Sequence, residues 1–361
     1  MVQSSPLPTI DDVARVALVS RQTVSNAINS PSIVRPKTLE RVNQAIAELG
    51  YRPHASARRL RTRKSSTIGI RLDPATNGIS GAVLDRFLHA LTEQADRRGL
   101  RVLLFTADSP EEEIAQFRRL RDGADVDAFV LTSTFHGDPR TTWLIENGHP
   151  FVTFGRPWGA DDMNDHRRAW VDVDGYSGLY AATVHQLRNG HARVAYIGWP
   201  SPSGTGDDRR RGWLDAMQEV GKLTADELSA LEIAVTDAVS QGEAAIAELL
   251  ERAGGVDAVV CASDSLALGA ILASSGTIPV SGYDNTPTAS ALGFTSVEQP
   301  LDEVAHAVLE LLTETGDGGP APAGSTAGAA DPTVTAAPRH RLIQPRLVAR
   351  DGQWLARTLG S

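Results

Sequence analysis

The chain has 361 residues, more than the roughly 100–200 of one domain, and its 41% apolar and 22% charged content is that of a globular protein. It holds no run of eighteen apolar residues, no basic segment backed by an apolar one in its opening MVQSSPLPTI, and one cysteine, Cys261. Membrane-spanning helices, an internal disulfide and a multi-cysteine metal site are thereby excluded, no secretion signal is expected, and the expected location is the cytoplasm.

The net charge of −9 conceals a division: residues 1–64 carry +7 and the rest of the chain −16. This is the balance of a polyanion-binding end on an acidic body. Residues 9–50 predict three short helices. Thr9 and Asp12 have the spacing of a capping box, followed by Val13, Ala14 and Ala17 at helical intervals and a break at Leu18-Val19. Ser20 can cap a second helix carrying Thr23, Val24, Ala27 and Ile28. Pro36 and Gly50 bracket a third, with Leu39, Val42, Ile46 and Leu49 inward. Two helices across so tight a break, braced by a third, predict a helix-turn-helix; another small helical bundle is the competing reading.

In a helix-turn-helix the second helix enters the major groove of DNA. Arg21 and Gln22 at its start and Asn26 one turn on are types that pair with guanine and adenine edges. Ser20, Thr23, Ser25 and Thr38 suit phosphate contacts, which fix register without reading sequence. A solvated helix face would carry similar residues, so it is their combination in a basic module that favours DNA.

The run TIDDVARVALVSRQTVSNAIN, followed by VRPKTLERVNQAIAELGYRPHASARRLRTRKSSTIGI, resembles the N-terminus of the LacI/GalR family of bacterial transcription regulators. The matching pieces are DVA, VS-x-x-TVS, the Lys-Thr before the third helix, AELGY-x-P and a hinge ending in Ala-Arg-Arg-Leu. The resemblance implies base reading by Arg21, Gln22 and Asn26, with Asn29 on the same helix, and contacts near phosphates and the minor groove by Tyr51 and His54. One position departs: Leu18 stands where the family usually has glycine, and a left-handed leucine costs about 1–2 kcal/mol.

Residues 54–64 are short and basic, with little to bury, and by themselves read as a charged linker. The resemblance implies a hinge over 54–66 that becomes helical when two copies meet over the minor groove. Leu60 is then the apolar wedge at a central base step, with Ala57, Arg58 and Arg61 beside it. Ordering of the hinge would couple the body to DNA affinity.

From Thr67 onward, apolar runs (67–72, 101–105, 128–132, 151–154, 193–198, 231–235, 257–262, 278–282) alternate with amphipathic stretches (81–98, 110–122, 175–189, 207–220, 241–253, 264–274). Such alternation predicts parallel sheets covered by helices, with ligands at the carboxyl ends of the strands. The resemblance implies an α/β architecture: a three-helix headpiece over 1–53 and a two-lobed, periplasmic-binding-protein-like core over 67–361. One lobe is expected over about 67–172 with 297–315, the other over about 173–296 with 342–361. The Gly/Ala/Pro-rich stretch 316–341 reads as a disordered insertion in the last crossing between them. The C-terminus lacks heptads, so a homodimer is expected rather than a tetramer.

Enzyme motifs are missing: no G-x-G-x-x-G, no phosphate-binding G-x-x-x-x-G-K-[ST], no G-x-S-x-G and no H-E-x-x-H. Neither catalysis nor a cofactor or metal is expected. Binding residues stand out better. The resemblance places Arg209, three residues before Gly212, at the effector clamp, Asp284 at an acidic effector contact and Ser263 at a third position, with Asp264 capping the next helix. Arg156, Trp158, Trp199 and Asp73 lie just beyond strand ends, where guanidinium, carboxylate and aromatic faces suit a sugar; packing alone would also explain the tryptophans. The reading is a repressor of a pseudo-palindromic double-stranded DNA operator, switched by a small-molecule effector, a sugar or sugar derivative. An effector-independent DNA-binding protein and a solute-binding protein without DNA function are the alternatives.

Overall fold

The computed structural model describes residues 8–51, 65–73, 81–159, 162–252, 255–316 and 339–350. The chain forms two compact units, meeting in sequence at Ser65/Ser66. His54, Ala57, Arg58, Leu60 and the rest of the expected hinge up to residue 64 lie outside the described residues, as do 317–338 of the expected insertion.

The first unit holds α1 (Ile10–Val16), α2 (Arg21–Asn29) and α3 (Pro36–Leu49). Each terminus has a local cause. Thr9 and Asp12 close a reciprocal capping box on α1, Ser20 accepts the Thr23 N–H on α2, and α3 starts at Pro36 and ends at Gly50 in the left-handed region (φ 62°). Between α1 and α2 the turn passes through Leu18 at φ 52°, so the left-handed geometry survives without glycine. The leucine side chain is left 82% exposed. Val13, Ala14, Ala17, Val24, Ala27, Val42, Ala45 and Tyr51 form the core under the three helices.

The second unit is two lobes, each around a six-stranded sheet. The first lobe runs β1 (Thr67–Arg71), α4 (Gly81–Arg97), β2 (Arg101–Phe105), α5 (Pro110–Asp122), β3 (Ala128–Leu131), α6 (Pro139–Glu146), β4 (Phe151–Phe154) and β5 (Trp170–Val173). The second continues with α7 (Gly175–Arg188), β6 (Val194–Gly198), α8 (Gly204–Glu219), α9 (Ala225–Ser229), β7 (Glu232–Ala234), α10 (Val239–Glu251), β8 (Ala258–Cys261), α11 (Asp264–Ala273), β9 (Val280–Tyr283), α12 (Pro287–Leu292) and β10 (Thr295–Glu298). Then α13 (Leu301–Gly316) returns to pack on the first lobe, β11 (His340–Ile343) joins its sheet, and β12 (Arg346–Val348) joins the second.

The strand orders are β11-β5-β4-β3-β1-β2 and β12-β10-β9-β8-β6-β7. All pairings are parallel except β12 against β10. Central strands covered on both faces must be apolar throughout, which is why β8 (Ala-Val-Val-Cys) and β6 read as unbroken apolar runs. Two crossings between the sheets lie just after Val173 and Glu298. The third needs correction: residues 340–343 are a strand paired with β5 of the first sheet, so the chain crosses at 344–345 and not earlier. β10, β11 and β12 escape the apolar-run reading because Thr, Ser, Glu, His and Arg interrupt them, and sheet pairing rather than side-chain character makes them strands.

Candidate functional site

On the first unit, α2 presents one polar face. Arg21, Gln22 and Asn29 are exposed and Thr23, Ser25 and Asn26 half-buried, while Val24 and Ala27 anchor the opposite face in the core. Gln22 Nε2 donates to Asn26 Oδ1 at 3.0 Å, and Asn29 Nδ2 donates to the Ser25 carbonyl at 2.7 Å. These one-turn bonds hold the amide side chains side by side along the helix. Ser20 and Thr23 hydroxyls pair at 2.9 Å at the helix start, and Thr38 is half-buried in the first turn of α3. Asp12, bonded by Arg15 and Thr9, is held down at about 2 and so keeps its charge on the α1 cap. The Tyr51 ring is buried in the three-helix core, and burial pushes its phenol up.

In the second unit the carboxyl ends of β1, β3, β4 and β5 face the start of α8 across a cleft of about 270 Å³. Asp73, Thr132, Ser133, Thr134, Gly155 and Asp172 line it from the first lobe, Thr205 and Arg209 from the second, and Gln299 from the crossing after β10. Val83, Leu84 and Phe154 supply an apolar wall. Ligands gather at such strand ends because loops converge there from many points of the chain.

Each charge on the wall has a protein partner. Asp73 pairs with Arg71 at 2.5 Å and accepts the Ser133 hydroxyl at 3.0 Å. Asp172 accepts Arg156 Nε at 2.7 Å. Arg209 is 5% exposed: Nη1 donates to the Ala262 carbonyl at 2.5 Å, Nη2 lies 3.8 Å from Asp284, and the guanidinium stacks 3.6 Å from the Tyr283 ring centre. Asp284, in a left-handed conformation (φ 102°), accepts Gln299 Nε2 at 2.7 Å, and burial pushes its carboxyl up. Three buried polar atoms of cleft-lining residues, Asp73 Oδ1, Arg209 Nε and Thr132 Oγ1, have no hydrogen-bond partner among the described residues, and of these Asp73 Oδ1 is met by the Arg71 ion pair.

Arg209 and Asp73 thus line the cleft and Asp284 stands directly behind it, whereas four other expected contacts lie elsewhere. Ser263 is the N-cap of α11, accepting the Leu266 N–H at 3.2 Å and donating to Asp237 at 2.5 Å. Asp264, expected as that cap, instead accepts the Thr286 N–H and the hydroxyls of Thr286 and Ser296 at 2.7–2.8 Å. Arg156 is buried under Trp158, whose ring packs against Gly204. Trp199 stacks 5.1 Å from the Arg209 guanidinium but lines a separate pocket of about 390 Å³ with Tyr196, Asp207 and Arg210. Local sequence cannot tell a strand-end residue that faces the cleft from one that turns away. Asp172, Gln299, Thr205 and the Thr132–Thr134 run were missed. That hydroxyl run immediately after an apolar strand was the signal available.

Among the described residues, no helix is long and apolar enough to cross a membrane and no cluster of three metal-ligating side chains occurs. Residues 9–54 match the family model described as bacterial regulatory proteins, lacI family, and residues 84–303 the one for periplasmic binding proteins and the sugar binding domain of the LacI family. The chain is 34% identical to the HTH-type transcriptional regulator CelR of Thermobifida fusca, over 85% of this chain and 91% of that one. It is 34% identical to the regulator AglR of Rhizobium meliloti, over 73% and 72%. Among solved structures, a CelR–cellobiose complex matches with 29% identity and a TM-score of 0.65, covering 96% of this chain and 99% of that one. The lac repressor dimer bound to operator shares the fold at 22% identity and a TM-score of 0.74, with the same coverage. The capped helix-turn-helix, the two parallel-sheet lobes and these likenesses agree, and the chain belongs to the LacI family of bacterial transcriptional regulators.

Proposed function

We propose that this regulator is a homodimeric repressor whose affinity for a pseudo-palindromic operator is switched by an uncharged sugar bound between its lobes. One observation carries the effector class. The cleft wall combines an apolar face with carboxylates and a guanidinium already paired within the protein, and leaves Arg209 Nε and Thr132 Oγ1 unpartnered. A buried polar atom without a partner costs about 1–3 kcal/mol, and a ligand hydroxyl relieves that cost. A phosphate or carboxylate on the ligand would instead enter beside Asp73 and Asp172 without a free cation to meet it. The solved CelR–cellobiose complex, from a relative of this chain, is consistent with such a ligand. Arg21, Gln22 and Asn26 read bases, and Ser20, Thr23, Ser25, Asn29 and Thr38 hold phosphates or register. The protein works on the nucleoid in the cytoplasm and performs no catalysis.

The test is an electrophoretic shift on DNA upstream of the protein's own gene. Neutral mono- and disaccharides, cellobiose among them, are added beside their phosphorylated and uronic-acid counterparts. A neutral sugar that dissolves or strengthens the complex, with an Arg209→Ala variant that binds DNA but no longer responds, supports the reading and gives the sign of the switch. Response to charged sugars alone would overturn the effector class.

A further inference from the structure

The loop after β4, Gly-Arg-Pro-Trp-Gly over 155–159, belongs to the first lobe but closes on the second. Its Arg156 is only 8% exposed. Nε donates to Asp172 Oδ2 at 2.7 Å on β5, and Nη2 donates to Asp208 Oδ2 at 2.5 Å on α8. One guanidinium is therefore shared by one carboxylate from each lobe. Asp208 also accepts the Tyr176 N–H at 3.2 Å, at the start of α7.

Trp158 roofs this contact, its ring centre 4.4 Å from the Arg156 guanidinium. Its backbone is left-handed (φ 60°), which turns the ring onto the first residue of α8. That residue is Gly204, where a Cβ would stand 2.2 Å from Trp158 Cδ2. Only glycine allows so close an approach. Asp208 is followed on α8 by Arg209, which lines the cleft. The helix that meets the clasp therefore also meets the ligand, on an adjacent face.

Buried ion pairs add little net stability because desolvation offsets their attraction, yet removing one partner strands the other charge. The pair consequently favours one relative placement of its elements over others. We propose that Arg156 is a positioning residue, clasping the two lobes through Asp172 and Asp208 and setting the lobe angle against which a cleft ligand works through Arg209. The clasp itself is independent of any ligand; its link to operator binding rests on the reading of the cleft given above.

The experiment is hydrogen–deuterium exchange on the full chain without ligand, comparing wild type with Asp208→Asn. Exchange is expected to accelerate roughly tenfold or more in peptides covering 155–159 and 204–214, as loss of a charged hydrogen bond implies, with 239–251 unchanged. No acceleration at 155–159, including a rise confined to 204–214, would overturn the clasp. If Asp208→Asn loosens every segment alike, Gly204→Ala decides, because it displaces Trp158 and leaves all charges in place. A rise limited to the same two peptides then supports the clasp, and an unchanged or uniform pattern overturns it. With a sugar that acts on wild type, Asp208→Asn is expected to shift the half-effective concentration in the operator assay roughly tenfold. An unshifted concentration would remove the link to the ligand, while the absence of any active sugar would count against the effector reading and leave the exchange result to judge the clasp.

Discussion

The headpiece and the core of this one chain build polar sites by opposite means. In the headpiece, the face of α2 is set by contacts no more than a few residues apart: Ser20 caps the helix, Gln22 reaches Asn26, Asn29 reaches back to Ser25. Its polar side chains are exposed or half-buried, so ion pairs such as Arg21–Asp11, 3.9 Å apart with both side chains exposed, matter little for stability. In the core, polar groups from Asp73 to Gln299 converge in a cleft and under it, and most are buried in pairs. The same residue types are thus inexpensive to change in one unit and costly in the other.

That contrast is broken most severely at Arg140. It is 2% exposed and bonds Glu113 at 2.8 Å and Asp138 at 2.7 Å, and Glu113, whose carboxyl burial pushes up, also lies 3.3 Å from Arg71. Arg140→Met should lower core stability by about 3–5 kcal/mol by stranding buried carboxylates. Calorimetry should show this with the headpiece helices unaffected; a loss below about 1 kcal/mol would mean that the network is rehydrated at little cost.

Asp264 sharpens the contrast through pH. Burial, with the neighbouring Asp284 charge, raises it from 3.8 to about 7. The folded state then binds the proton more tightly than the unfolded chain. The resulting stability is complete below pH 4 and is lost as pH rises through about 7. Relative to an Asp264→Asn variant, the wild type should lose roughly 2–4 kcal/mol between those limits in denaturant titrations. Equal slopes for the two proteins would show that Asp264 stays ionised in its ring of hydroxyl and amide donors.

In the headpiece the effects should be smaller. Leu18→Gly relieves a left-handed leucine but increases the freedom of the unfolded chain, for a net gain of about 0.5–1 kcal/mol in urea melts. A destabilised variant would mean that the exposed leucine packs usefully. Arg21→Ala should move stability by less than about 0.5 kcal/mol. Operator affinity should nevertheless fall by about 1–3 kcal/mol, with relaxed preference at one base position. A uniform loss across sequences would reassign Arg21 to phosphate.

What was legible in the residues follows this division. The capping box at Thr9 and Asp12, the caps at Ser20 and Gly50, the left-handed turn at Leu18 and the strand–helix alternation of the core all depend on spacings of a few residues. Local hydrogen bonds and burial periodicity enforce them wherever they occur. Arg209 is legible through the family resemblance, and Asp73 because it lies just beyond a strand end.

The tertiary structure alone decided which strand-end residues face the cleft. It turned Ser263 into a helix cap, Trp199 towards another pocket, and Arg156 with Trp158 into a contact between lobes. It also made strands of β11 and β12, whose sequences are too polar to declare themselves. Such outcomes depend on segments distant along the chain meeting in space, and the local spacing of residues carries no information about that meeting.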